Sequence, residues 1–441
     1  MNVLLVYTNR DRFFYPPPIG LAYISEGLKQ KGHKIKLVDF MFSKNPIKEL
    51  ENAIAEFNPE VIGFSIRNID NQVMLNSDCP LYDIKSFIKL AKDKKIITVA
   101  GGTGLSAFPE KIVEFMDADY GICGQGEESF RMLLDKITEG NPVKDIPGII
   151  WRENGIIKSN PLVFEGYQNV KADWGILDFK MYKRKSLFPA SVVIKTGCPY
   201  SCSYCEVPGY GNNFKFREPD EIINDIKIIR DTHGIKSFWF VDSCFNSPLH
   251  KTKQLLKEII KADLKINYMV PVNPIKGEYD EEFFELYKRS GGLLTLLGAD
   301  SLCDSMLKNY SKNYTVEDIY NCGNLANKYK IPFFLGVLIG GPGENEETVK
   351  ESMRFAPNIK FAHLHYGIGI RILPNTGIYE TAIRENIITG PDELFFPKFY
   401  VSKELDVKWA KSYIDKSMRK YFYRDFKLLW PVTKNIITRF V

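Results

Sequence analysis

Short apolar, β-branched runs alternate with amphipathic stretches from the first residue of the chain. Asn2–Tyr7, Lys34–Asp39, Val61–Ile66, Lys95–Ala100 and Tyr120–Cys123 are such runs. Between them lie stretches such as Ile19–Lys31, whose apolar positions recur every three or four residues. Strands alternating with helices predict a mostly parallel, doubly wound sheet over residues 1–142. Ligands of such sheets sit beyond the carboxyl ends of the strands, which singles out the loops Thr8–Pro18, Arg67–Asn71, Gly101–Ser106 and Gly124–Glu128.

Over residues 143–189 the alternation lapses, and Gly148–Ser159 reads as a hairpin turning at Asn154-Gly155; this stretch is expected to link two domains. Over residues 190–386 it resumes. Ser191–Lys195, Ser237–Val241, Lys265–Val270, Leu293–Leu297, Phe333–Leu338 and Ala362–Ile370 are strand-like, with helical patterns between them. Parallel units in that number predict a barrel, complete or partial, with chemistry at its strand ends. Residues 387–441 are expected to form a helical C-terminal extension.

Composition leaves this picture intact. Hydrophobic residues make up 44% and charged residues 26%, ordinary for a globular chain. Apolar runs such as Ile331–Ile339 fall well short of the ~20 residues that cross a bilayer. The opening Met1–Arg10 has no basic leader or small-residue cleavage site and reads as a strand. With eight cysteines, a reducing, cytoplasmic setting is expected, in which thiols hold metals or rest in cores. Lys and Arg number 59 against 54 Asp and Glu, and Lys416–Val441 alone carries seven basic residues and one acid. The charge excess is thus in the tail, and the body has no electrostatic signature of nucleic-acid binding. Tyr421, Phe422, Tyr423, Phe426 and Trp430 give that tail two readings: a cap on a domain, or a weak contact with an anionic membrane surface.

Candidate chemistry concentrates in one segment. Cys198, Cys202 and Cys205 stand at C-x3-C-x2-C directly after the first strand of the second domain. A strand-end loop of that length can wrap three thiolates around one iron–sulfur cubane and leave one iron open. The rival is structural zinc, which takes four ligands, often in paired C-x2-C knuckles; no second knuckle or nearby histidine follows in the sequence. Cys79, Cys123, Cys244, Cys303 and Cys322 lack ligand spacing and read as small buried hydrophobes.

With Tyr204 before its last cysteine, the triplet resembles the radical S-adenosylmethionine (SAM) superfamily. The resemblance implies a [4Fe–4S] cluster on Cys198, Cys202 and Cys205. Its open iron would chelate the amino and carboxylate groups of SAM, and one-electron reduction would release an adenosyl radical. The likeness continues downstream. Phe238–Ser243 is similar to the family's second-strand segment, and Leu297–Ser301 resembles its Gly-x-Glu-Ser strand, with Asp300 where Glu is usual. Gly336–Glu344 resembles the fifth-strand Gly-Pro-Gly-Glu turn, and Gly369–Thr376 the sixth-strand segment. The residues so implied for SAM are Tyr204, Asp242, Ser243, Asp300, Ser301, Gly340 and Arg371. Arg371, a lone arginine at a strand end, has an equal structural reading.

Residues 1–142 resemble the cobalamin-binding domain that precedes the barrel in one class of this superfamily, through Tyr15–Tyr23, Gly101–Gly104 and Gly124–Glu128. The contacts this implies are Pro18, Ile19, Gly20, Ser65, Arg67, Asn68, Gly101, Gly102, Thr103, Gly104, Gly124, Gly126 and Glu127. The sequence has no Asp-x-His-x-x-Gly signature, so cobalt is expected without a lower histidine. Ser65–Asn71 resembles a subgroup in which an arginine, here Arg67, lies at that lower face.

The expected fold is therefore α/β: a doubly wound, Rossmann-like cobalamin-binding domain, a partial (β/α)6 TIM-type barrel and a helical C-terminal extension. The implied activity is methyl transfer to an unactivated carbon or phosphorus centre of a small molecule or lipid. One SAM would methylate cobalt and another would yield the radical, with a flavodoxin or ferredoxin as electron donor. Two rivals stand beside it: cobalamin chemistry ending in cyclisation, rearrangement or coupling, and a zinc-stabilised binding protein without catalysis. His363 and His365 alternate on a strand and face the same side, as substrate contacts or as packed core.

Overall fold

The computed structural model describes residues 1–11, 15–162, 171–206, 214–356 and 362–418. They form two compact units, Met1–Asn71 with Asp78–Lys185, and Gln72–Ser77 with the chain from Ser186 onward.

The first unit is built on strands β1 (Asn2–Tyr7), β2 (Lys34–Asp39), β3 (Val61–Ser65), β4 (Ile97–Gly101), β5 (Tyr120–Ile122), β6 (Ile149–Glu153) and β7 (Ile156–Ser159). They make one seven-stranded sheet in the order β2-β1-β3-β4-β5-β6-β7, and its first five strands run parallel. Helices α1 (Ile19–Lys29), α2 (Pro46–Phe57), α3 (Leu81–Asp93), α4 (Pro109–Met116) and α5 (Glu127–Glu139) make the crossovers. Central β1 is covered on both faces, and Val3, Leu4, Leu5 and Val6 are fully buried; this is why it is written as an unbroken apolar run. Strand order reverses between β1 and β3, and at that point the carboxyl ends of the strands leave a crevice. Thr8 spans it by donating from its hydroxyl to the Ser65 carbonyl (2.8 Å).

Gly148–Ser159 is a hairpin, but it is no separate linker. Strand β6 pairs antiparallel with β5, giving that three-residue strand a second partner and extending the sheet. The chain beyond it, with α6 (Lys180–Lys185), is tied back as well. Asp173 accepts from Ser25 Oγ (2.7 Å) and Lys29 Nζ (2.6 Å), and Tyr182 donates to Asp39 Oδ2 (2.6 Å). The unit therefore reaches Lys185 and does not end at residue 142.

The second unit contains β8 (Ala190–Val193), β9 (Lys195–Gly197), β10 (Phe214–Phe216), β11 (Ser237–Val241), β12 (Asn267–Val272), β13 (Gly292–Asp300), β14 (Phe333–Ile339) and β15 (Ala362–Ile368). Strands β8, β11, β12, β13, β14 and β15 follow one another in a six-stranded sheet, every pairing parallel. Among the described residues β15 and β8 are its two edges, so the barrel is partial. On β14 fully buried positions alternate with half-buried ones, the period-two mark of a strand packed against helices on one face only. Helices α7 (Pro219–His233), α8 (Leu249–Lys261), α9 (Glu281–Ser290), α10 (Asp304–Asn309), α11 (Val316–Lys328) and α12 (Glu346–Phe355) connect the strands. Gly234 and Gly291, at φ +64° and +108°, end α7 and α9 in the left-handed conformation a C-cap requires.

After β16 (Ile370–Arg371) and α13 (Gly377–Arg384), β17 (Phe399–Tyr400) pairs antiparallel with β16. Ser402 N–H donates to the Gly340 carbonyl (2.8 Å), and residues 407–418 are helical. The aromatic tail residues Tyr421, Phe422, Tyr423, Phe426 and Trp430 lie outside the described residues. No described helix is long and apolar enough to cross a membrane.

Candidate functional site

Strand β9 follows β8 after one residue and pairs antiparallel with β10, so the cysteine segment projects as an arm from the end of the first barrel strand. Cys198, Cys202 and Cys205 are half-buried, reduced thiols. Backbone bonds hold the middle of the arm from two sides. Ser203 N–H donates to the Tyr310 carbonyl (3.0 Å), and the Ser203 carbonyl accepts from Ile378 N–H (2.7 Å). Tyr310 is the hub. Its ring meets that of Tyr204 edge-on at 5.7 Å, and its hydroxyl donates to the Leu338 carbonyl (3.2 Å). A Cβ on Gly341 would stand 2.3 Å from that ring, so the glycine after Gly340 is what lets Tyr310 join the turn after β14 to the cysteine arm.

Lys312, between α10 and α11, carries the electrostatics of the arm. Its Nζ donates to Cys202 Sγ (3.1 Å) and Tyr204 Oη (2.8 Å) and is ion-paired with Asp300. Burial alone would lower its pKa, but Asp300 and Cys202 outweigh that and raise it. Asp300 is held at φ +58°, in the left-handed region that costs a non-glycine residue roughly 1–3 kcal/mol. Tyr314 Oη lies 2.6 Å from the Gly298 carbonyl and 3.4 Å from Asp300 Oδ2.

A second lysine is sealed. Lys195 and Asp242 have side chains 0% exposed, with 3.7 Å between Nζ and Oδ1. Lys195 also donates to the carbonyls of Cys244 and Ser247, and the Asp242 carboxylate leans on Lys195 and on the backbone N–H groups of Ser243 and Cys244. Burial pushes the Asp242 carboxyl up to about 6 against the pull of Lys195.

The other SAM candidates divide. Ser243 is exposed and Tyr204 half-buried. Ser301 is buried, its hydroxyl accepting from Cys303 N–H (3.2 Å) and lying 3.5 Å from Ser352 Oγ. Arg371 is buried and donates to the carbonyls of Ile372 (2.7 Å) and Leu394 (2.8 Å). Gly340, at φ +102°, donates its N–H to Glu344 Oε2 (3.3 Å). Glu344 is fully buried and also accepts from Thr348 Oγ1 (2.5 Å); burial raises its pKa to about 7. His363 and His365 share one face of β15, opposite Phe334 and Gly336 of β14.

In the first unit the cobalamin candidates gather on the strand-end loops. Tyr7 O–H donates to the Pro16 carbonyl (2.9 Å), closing the loop that delivers Pro18, Ile19 and Gly20 to the start of α1. Ser65 ends β3 and Gly101 ends β4. A Cβ on Gly102, at φ +100°, would fall 2.6 Å from the Ile66 carbonyl oxygen, and one on Gly104 3.0 Å from Asn68; the loops after β3 and β4 interlock only through glycine. Thr103 Oγ1 donates to the Arg67 carbonyl (2.8 Å), and the Asn68 amide, turned to the orientation that satisfies both of its groups, donates to that carbonyl (2.9 Å) and accepts from Arg67 Nη1 (3.0 Å). Gly124 and Gly126 lead into α5, whose first residue is Glu127.

The donor set fits a cluster. The three thiols share one arm beside a cationic side chain that can compensate thiolate charge.

Among known families, residues 192–356 match the model of the radical SAM superfamily and residues 9–134 that of the B12 binding domain. An uncharacterised methyltransferase of Pyrococcus horikoshii is 22% identical over 91% of this chain and 88% of its own length. Anaerobic magnesium-protoporphyrin IX monomethyl ester cyclase of Rubrivivax gelatinosus is 22% identical over 77% of this chain and 62% of its own. A radical S-adenosylmethionine methyltransferase from Kitasatospora setae, solved with cobalamin and a [4Fe–4S] cluster bound, matches with a TM-score of 0.81 at 22% identity, over 93% of this chain and 90% of that one. Sequence reasoning passes over Tyr310, Lys312 and Tyr314. Their one signal is position, shortly after the Asp300-Ser301 strand end.

Proposed function

Because residues 9–134 match the B12 binding domain and residues 192–356 the radical SAM superfamily, we propose that this chain is a cobalamin-dependent methyltransferase acting on an unactivated carbon or phosphorus centre of a small molecule or lipid. The observation that carries this reading is a three-cysteine arm at the end of a parallel barrel strand, in one chain with a sheet whose first five strands take the order β2-β1-β3-β4-β5. When bound, the cluster supplies one electron to SAM and cobalamin supplies a transferable methyl group.

The chain's own residues bind and orient. Cys198, Cys202 and Cys205 hold the cluster, with Lys312 set against Cys202. Ser243, Tyr204 and Asp300 keep part of their surface open and are the side chains through which SAM is positioned. Ser301 and Arg371 act at one remove, by fixing the α10 turn and the loop after β16. Ser65, the Gly101–Gly104 loop and the Gly124–Glu127 loop form the cradle for cobalamin. On this reading Arg67, set against the Asn68 amide, would help to hold the cofactor, and no Asp-x-His-x-x-Gly histidine would do so. A small iron–sulfur or flavin protein delivers the electron.

The test is anaerobic purification and reconstitution of the full chain, followed by incubation with methyl-labelled SAM, cobalamin and a panel of candidate acceptors. Brown protein with about four irons and label in an acceptor are the expected results. Colourless protein with one zinc rejects the reading, and deoxyadenosine without any methylated product rejects the methyltransferase assignment. The cyclase relative favours one second reading, ring formation, which would give a cyclised product with no label incorporated.

A further inference from the structure

A cation is held against one thiol of the cysteine arm, Cys202. The Lys312 side chain is 7% exposed, and its ammonium meets Cys202 Sγ at 3.1 Å, Tyr204 Oη at 2.8 Å and the Asp300 carboxylate. A thiol, a phenol and a carboxylate use all three donors of an ammonium group. The Tyr204 and Tyr314 ring centroids lie 5.0 and 5.9 Å from Nζ, so aromatic faces keep water from much of the charge. Asp300, the counterion, is 18% exposed. The ammonium is thus fixed in place, poorly hydrated, and aimed at a sulfur.

Hydrogen bonds to sulfur and local charge are among the determinants of an iron–sulfur potential. Reduction adds negative charge to the cluster, so a neighbouring cation stabilises the reduced state and an anion opposes it. In a partly dry site both effects far exceed their size in water. We propose that Lys312 is a positioning residue which, through Cys202, raises the reduction potential of the cluster on Cys198, Cys202 and Cys205, and that Asp300 partly offsets it. This rests on the cluster reading above, but on neither methyl transfer nor cobalamin.

The two halves of the ion pair should then shift the potential in opposite directions. The measurement is potentiometry followed by electron paramagnetic resonance on the full chain, reconstituted with iron and sulfide in the absence of SAM. In Lys312→Met the ratio of reduced to oxidised cluster at a fixed potential should fall at least tenfold, which is ~59 mV for a one-electron couple. Asp300→Asn should raise that ratio, and Lys312→Arg should restore most of what Lys312→Met loses. A midpoint unchanged in Lys312→Met, or moved in the same direction by Lys312→Met and Asp300→Asn, overturns the proposal. Where Lys312→Met binds less iron than the wild type, Lys312→Gln is read in its place, since it keeps an N–H donor and drops the charge. There too a negative shift supports the proposal and an unchanged midpoint overturns it. A wild-type chain that assembles no cluster takes down this inference and the functional reading together. A wild-type cluster whose midpoint ignores Lys312 takes down this inference alone.

Discussion

Lys195 and Lys312 each stand beside an aspartate at a barrel strand end, Asp242 after β11 and Asp300 closing β13. Lys195 is 0% exposed and donates to backbone carbonyls of the loop after β11. Lys312, 7% exposed, meets a thiol, a phenol and a carboxylate. Burial and an ion pair are common to both; the acceptors differ. A lysine bonded to carbonyls fixes a loop, and one directed at a thiol of the cysteine arm is placed to act on whatever that thiol holds.

Stability should separate the two most sharply. Lys195→Met leaves the Asp242 carboxylate, whose side chain is fully buried, without its counterion. Removing one partner of a buried pair costs about 3–5 kcal/mol. Asp242→Asn should cost less, because Lys195 keeps the Cys244 and Ser247 carbonyls, and Lys195→Met with Asp242→Asn should recover part of the loss. Lys312→Met should cost less, about 1–3 kcal/mol, since Asp300 keeps some contact with solvent that can take over part of its charge. Urea unfolding of the apo chain, followed by tryptophan fluorescence, reads all four variants. Equal losses for the two lysine variants would erase the distinction.

Glu344 extends the sealed class to an acid. Its folded pKa is raised by burial to about 7, against an ordinary 4.5. A raised folded pKa means that the protonated folded state is favoured, so the contribution is complete below pH 4.5 and is lost as pH rises through 7. At 1.36 kcal/mol per unit the loss is roughly 3 kcal/mol. Glu344→Gln cannot titrate, so the stability of the wild type relative to this variant should fall by that amount between pH 4.5 and pH 8, as read by parallel urea titrations. A constant difference would mean that the Thr348 and Gly340 donors keep the carboxylate ionised.

What the chain discloses by itself follows the range of the interaction. Strands β1 to β5 and the six barrel strands are legible because short β-branched and apolar runs stand between amphipathic helical stretches. The Asn154-Gly155 turn is legible because both residues take positive φ, +50° and +79°. Where the hairpin docks is not, since its pairing with β5 depends on an edge left open nearly thirty residues earlier. The cysteine arm is declared by local spacing, but its support is not: Lys312 lies 110 residues from Cys202 and belongs to no ligand pattern. Asp300 and Ser301 read alike at a strand end, and only the side-chain directions tell them apart, one to the arm and the other to the helix layer.

That divergence yields the smallest effect. Ser301 is 1% exposed and accepts from Cys303 N–H at the start of α10. Ser301→Ala leaves that amide without its acceptor, at a cost of about 1–2 kcal/mol. It should leave iron content, cluster midpoint and SAM affinity at wild-type values, because the hydroxyl faces Ser352, away from the arm. Asp300→Asn, one residue earlier, should instead move the midpoint, because its carboxylate faces Lys312 and the arm. Equilibrium dialysis with labelled SAM beside urea unfolding tests the pair. A tenfold weaker SAM affinity in Ser301→Ala at unchanged stability would place Ser301 with Asp300 at the cofactor, and the line between sealed and open strand-end residues would have to be redrawn.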